Sequence, residues 1–159
     1  MKKALILAVV LVAVVYIGQL VFKTLCISCT IPPVKEYRYK GSVADLVKGL
    51  RAIASSNEKI QFEITDKLDY KSGGDAYAMI VNVNYLDQVL RYDLIGEDIS
   101  SSTSDLETRI KLTGANNLTT NKGGYGIHAD GIQEVLNEFQ QLILEPLAKK
   151  QNIKITPFN

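Results

Sequence analysis

The residues best equipped for chemistry in this chain are two cysteines and a single histidine. Cys26 and Cys29 form the string Cys-Ile-Ser-Cys. A zinc site needs two further ligands. One histidine and no second cysteine pair do not supply them. A redox pair of this spacing belongs at a helix N-terminus inside a βαβ unit. This pair instead lies just ahead of Pro32-Pro33. An incidental pair is the first reading. Lipid attachment next to a membrane segment is the second, and a disulfide within or between chains the third.

His128 stands just before Asp130, a residue suited to cap a following helix. A loop histidine that shapes a helix start is its plain reading. Catalysis would need a hydroxyl or carboxylate partner, and no G-x-S-x-G string is present. Lys122-Gly123-Gly124-Tyr125-Gly126 is the most distinctive local string. Its glycines permit close backbone approach to a ligand or partner, but its spacing is not that of a phosphate loop. The string therefore reads first as an ordinary flexible loop. Glu97 and Asp98 read as an acidic pair in a serine-rich surface loop, with too few oxygen ligands for calcium. Asn117-Leu118-Thr119 is a glycosylation sequon. Tyr77, Tyr85 and Tyr92 read either as sheet-face core residues or as the lining of a cavity or partner surface. The candidate binding set is thus Tyr77, Tyr85, Tyr92, Lys122, Gly123, Gly124, Tyr125 and His128. No catalytic set, metal site or cofactor follows from the sequence.

The segment that must position everything else is the first. From Ala4 to Phe22 the chain is apolar except for Gly18 and Gln19. As a helix this run would be about 28 Å long at about 1.5 Å per residue. That matches a hydrocarbon core of roughly 30 Å. A signal peptide has a shorter apolar region of about 7–15 residues and a small-residue cleavage site, and no A-x-A-like site follows Phe22. The expectation is an uncleaved, single-pass anchor over residues 4–22, with a cleaved signal segment as the alternative, residues 1–3 cytoplasmic, 23–34 a linker and 35–159 an extracytoplasmic α+β domain. Cys29, preceded by Leu25, Cys26, Ile27 and Ser28, is similar to a bacterial lipoprotein acceptor, with Lys23 and Cys26 departing from that pattern.

Composition narrows the partners. The 159 residues carry a formal charge of +1. Without Lys2, Lys3 and Lys23, 15 of the 18 basic residues remain against 17 acidic ones. The domain is therefore slightly acidic, which argues against nucleic acid and against a polybasic grip on anionic lipid. The membrane, another envelope protein and a small apolar ligand remain as expected partners.

Periodicity supplies the elements. Residues 35–40 alternate as a strand. Ser42 with Asp45 forms a capping box, followed by Val43, Leu46, Val47, Leu50, Ile53 and Ala54 on one helix face. Ile60, Phe62 and Ile64 alternate, and Ser72-Gly73-Gly74-Asp75 turns the chain. Tyr77 to Tyr85 returns as a strand, and Leu90, Tyr92 and Leu94 suggest another. Residues 96–104 read as a loop. Leu106, Thr108, Ile110 and Leu112 form the cleanest strand. Asp130 is expected to cap a long last helix, which Pro146 ends or kinks near Glu145. Ile153 and Ile155 suggest a short edge strand.

These elements predict a two-layer α+β domain: an antiparallel meander of about four to five strands packed by an early helix and a long C-terminal helix. This element order resembles the helix-grip fold of the START and polyketide-cyclase-like families, over residues 35–150. The resemblance implies a curved sheet closed by the last helix over an apolar cavity. Three functions follow as expectations: a membrane-anchored interaction module without catalysis, a small-molecule or lipid carrier, and a hydrolase-like enzyme using His128.

Overall fold

The computed structural model describes residues 32–69, 75–99 and 106–158. The apolar run of residues 4–22, Cys26, Cys29 and the serines at 100–104 lie outside the described residues. Among the described residues no helix is long and apolar enough to cross a membrane. Pro32–Asn159 forms one compact unit.

The order is β1 (Lys35–Lys40), α1 (Val43–Ser56), β2 (Ile60–Asp69), β3 (Asp75–Tyr85), β4 (Gln88–Asp98), β5 (Glu107–Asn117), β6 (Lys122–Gly124), α2 (Ile132–Phe139), α3 (Glu145–Gln151) and β7 (Ile155–Pro157). A π-helical turn, Gln140–Leu144, joins α2 to α3. The architecture is α+β, with an antiparallel sheet packed on one face by helices.

The sheet has seven strands among the described residues, more than the four to five expected. Its order is β2-β3-β4-β5-β1-β7, with β6 also paired to β5. The meander from β2 to β5 matches the hairpin reading. The first strand does not stay outside it: β1 pairs β5, placing Tyr37 opposite Ile110 and Tyr39 opposite Thr108. The additional strands are short and lean on β5 and β1, so their pairing depends on contacts distant in sequence.

Alternation decides the two faces. Tyr37, Tyr39, Met79, Val81, Val83, Leu90, Tyr92, Leu94, Ile110 and Leu112 are buried in one core with the apolar stripes of α1, α2 and α3. Glu36, Arg38, Arg91, Asp93, Arg109 and Lys111 occupy the alternate positions on the other face.

α1 begins as its sequence dictates. The Ser42 hydroxyl accepts from the Asp45 amide, and the Asp45 carboxylate accepts from the Ser42 amide. The last helix differs from expectation at both ends. Its N-cap is Gly131 at φ 68°, with no side-chain cap, rather than Asp130. The reason is β6: the Gly123 amide donates to the Asp130 carbonyl at 2.6 Å, which ties residue 130 to the sheet. Pro146 neither ends the helix nor stands unrelieved within it. It lies in the first turn of α3. The Glu145 amide donates to the Gln140 carbonyl, five residues back. This widened turn relieves the clash that proline makes with the carbonyl four residues before it.

Helix α3 lies close along α1. A Cβ on Gly49 would run into the side chains of Leu147 and Gln151. The Tyr39 hydroxyl donates to Gln151 Oε1 at 2.6 Å, and Gln151 Nε2 donates to the Asp45 carbonyl at 2.9 Å. One side chain thus ties β1, α1 and α3 together.

Candidate functional site

The three candidate tyrosines do not converge. Tyr92 is fully buried, its ring 4.8 Å from that of Phe139 and tilted by 48°. Tyr37 reaches the same phenylalanine at 6.0 Å. These rings fill the space between the sheet and α2. Burial holds the Tyr92 hydroxyl well above the usual tyrosine range, and the Glu138 carboxylate adds to the effect. Tyr77 is half-buried beside α1, where it lines a groove of about 370 Å³ with Ala44, Val47, Lys48, Arg51 and Ile64. Tyr85 is exposed at the far end of β3.

The glycine string is not the loop the sequence suggested. Lys122, Gly123 and Gly124 form β6, opposite Asn117, Asn116 and Ala115. Gly123 has φ 87°, and a Cβ there would run into the Ala115 carbonyl. Glycine is required for strand pairing at this position. Lys122 Nζ meets Glu134 Oε2 at 2.7 Å, which raises the ammonium above its ordinary range. Burial first, then Glu134, raises the Glu138 carboxyl, with Lys122 opposing. Tyr125 is exposed, and one edge of its ring shares the space above Gly114 with the Asp93 carboxylate. His128 is exposed and makes no hydrogen bond or ion pair among the described residues.

Two further expectations change. Glu97 and Asp98 belong to β4, not to a loop. Glu97 is buried and meets Lys111 at 2.7 Å and Arg109 at 3.5 Å. Asp98 Oδ1 accepts from the Val43 amide at 2.7 Å, so it anchors the start of α1. The Asn117 side chain is fully engaged: Nδ2 donates to Gln88, and Oδ1 accepts from the amides of Thr119 and Thr120. Its burial closes the sequon to a glycan in the folded state.

Sequence reasoning missed the most exposed apolar feature. The β3–β4 hairpin turns through Leu86 and Asp87, both at positive φ, 46° and 60°. Such a two-residue turn matches strand twist and favours Asn-Gly or Asp-Gly. A leucine there is strained and, at 72% exposure, largely in water. Tyr85 and Val89 flank it, and both are exposed. Leu118 joins them: its amide donates to the Val89 carbonyl at 2.8 Å, and the Val89 amide donates to Thr119 Oγ1 at 2.9 Å. At this end of the sheet Tyr85 is exposed on the helix-covered face and Val89 and Leu118 on the opposite face, with Leu86 at the tip between them. The signal in the sequence was the lapse of alternation between Tyr85 and Leu90.

Among the described residues no group of three or more acidic, histidine or cysteine side chains is placed to hold a metal ion. Comparison with protein-family models, with curated proteins and with solved structures finds no match for this chain.

Proposed function

We propose that this chain is a non-catalytic interaction module, anchored in a membrane through residues 4–22, whose domain binds another envelope protein on the extracytoplasmic side. One observation carries the reading: Leu86 is held in a left-handed backbone conformation and 72% exposed at the tip of the hairpin, with Tyr85 exposed on one face of the sheet and Val89 and Leu118 on the other. Strain and exposure at one leucine favour a role outside folding. Exposed apolar patches mark interaction sites. The carrier reading needs an apolar void beneath the last helix, and Tyr37, Tyr92 and Phe139 occupy that space. The hydrolase reading needs a partner for His128, which stands exposed and unbonded among the described residues.

The test is a double substitution, Leu86→Glu with Leu118→Glu, in the full-length protein in its own membrane. Chemical crosslinking of the unaltered protein is expected to give a discrete adduct with a second protein. The double variant is expected to lose it while keeping its melting temperature. An adduct that survives the double substitution contradicts the reading.

A further inference from the structure

We propose that the first half of β2 accepts an added strand from a partner: an extended peptide with acidic side chains that pairs with the backbone of Phe62 and Ile64. The inference rests on the interaction-module reading and names a recognition chemistry for it.

The two edges of the sheet differ. One edge ends in the three-residue β7, which closes on Pro157. Short edge strands and proline block further pairing. The other edge is β2, which has ten residues. Its second half is protected by a register shift between Ile64 and Asp66 and by the Lys67–Asp75 ion pair at 3.2 Å. Its first half carries no bulge, no proline and no charge other than Glu63.

The phase of the ladder shows which groups are free. The Asn84 amide donates to the Lys59 carbonyl at 2.8 Å. Hydrogen-bonded pairs alternate in an antiparallel ladder. Gln61 opposite Asn82 and Glu63 opposite Ile80 therefore also point their backbones at β3. Phe62 and Ile64 point theirs outward, with no partner strand among the described residues. Their side chains are only half-buried against the core.

A groove runs beside this edge. Ala44, Val47, Ile64 and Tyr77 form its apolar floor, and its volume is about 370 Å³. That space accepts alternate side chains of an added strand, as in strand addition to a sheet edge. Lys48 and Arg51 stand exposed at its rim on successive turns of α1. Neither enters an ion pair among the described residues. Two free cations beside an open edge select an anionic segment, so the occupant is an acidic extended peptide.

The experiment titrates fluorescein-labelled decapeptides, alternating valine with glutamate, threonine or lysine, against the full-length protein in detergent micelles. The glutamate peptide is expected to bind most tightly, the threonine peptide roughly fivefold more weakly, and the lysine peptide most weakly, given the modest strength of exposed ion pairs. Lys48→Glu with Arg51→Glu is expected to reverse that order. Phe62→Pro removes an amide that no ladder bond uses and is expected to abolish binding of all three peptides with cooperative melting retained. If Phe62→Pro fails to fold, the charge reversal decides. An unchanged order in the charge-reversed protein overturns the proposal. So does failure of every peptide to bind at about 1 mM, or self-association of the chain through β2 in sedimentation. Absence of peptide binding with the hairpin-end crosslink intact overturns strand addition alone. Loss of both overturns the interaction reading as well.

Discussion

The rings of Tyr92 and Phe139 meet at 4.8 Å in the middle of the domain, tilted rather than stacked flat. Both are fully buried, one from the sheet and one from α2. Phe139→Ala is expected to cost about 3–5 kcal/mol, through lost burial and the void it leaves. Denaturant melts measure the loss. The variant, unlike the unaltered protein, is also expected to gain melting temperature with benzene, since an apolar void of this kind takes up small apolar ligands.

Leu86 separates stability from function. Its φ of 46° suits asparagine or glycine better than leucine. Leu86→Asn is expected to stabilise the domain by about 1 kcal/mol. The same change is expected to weaken the crosslink proposed for this end of the sheet. A residue chosen for folding alone would show no such opposition.

Gly49 sits inside α1, where alanine would ordinarily favour the helix by about 1 kcal/mol. Here the added methyl meets Leu147 and the side chain that bridges Tyr39 to Asp45. Gly49→Ala is expected to destabilise by about 1–3 kcal/mol. Thermal melts of the variant check the sign; a rise in melting temperature would mean that α3 does not press against α1.

High pH is expected to unfold the domain through its tyrosines. Burial pushes the hydroxyls of Tyr37 and Tyr39 up to about 12, from an ordinary 10.0. Tyr92 moves in the same direction. The folded state therefore keeps protons that the unfolded chain gives up near pH 10. Stability is full below that pH and is lost as pH rises through about 12. Ionisation of the three buried rings, followed through tyrosinate absorbance, is expected to coincide with loss of folded structure.

The local signals were legible where one residue type decides the outcome. The Ser42–Asp45 box starts α1, and the alternation around Ile110 marks β5. The hairpin series follows from apolar alternation in β2 to β5. Pairing of β1 with β5 leaves no local mark, because a strand reads the same at an edge as between neighbours. β6 was hidden because glycine, which usually signals a loop, is the residue that lets this strand lie against Ala115. Asp130 looked like a cap, but a hydrogen bond from Gly123 fixes its carbonyl. The candidate tyrosines shared a residue type and not a place. Leu86 was overlooked because a leucine in such a turn contradicts turn chemistry.

An interaction through the β3–β4 hairpin tip puts the partner beside Leu86. The most direct test places a photo-crosslinking amino acid at Leu86 and, in a separate protein, at His128, in full-length chains in their own membrane. A discrete protein adduct is expected from Leu86 and none from His128. An adduct from His128 with none from Leu86 would contradict that placement.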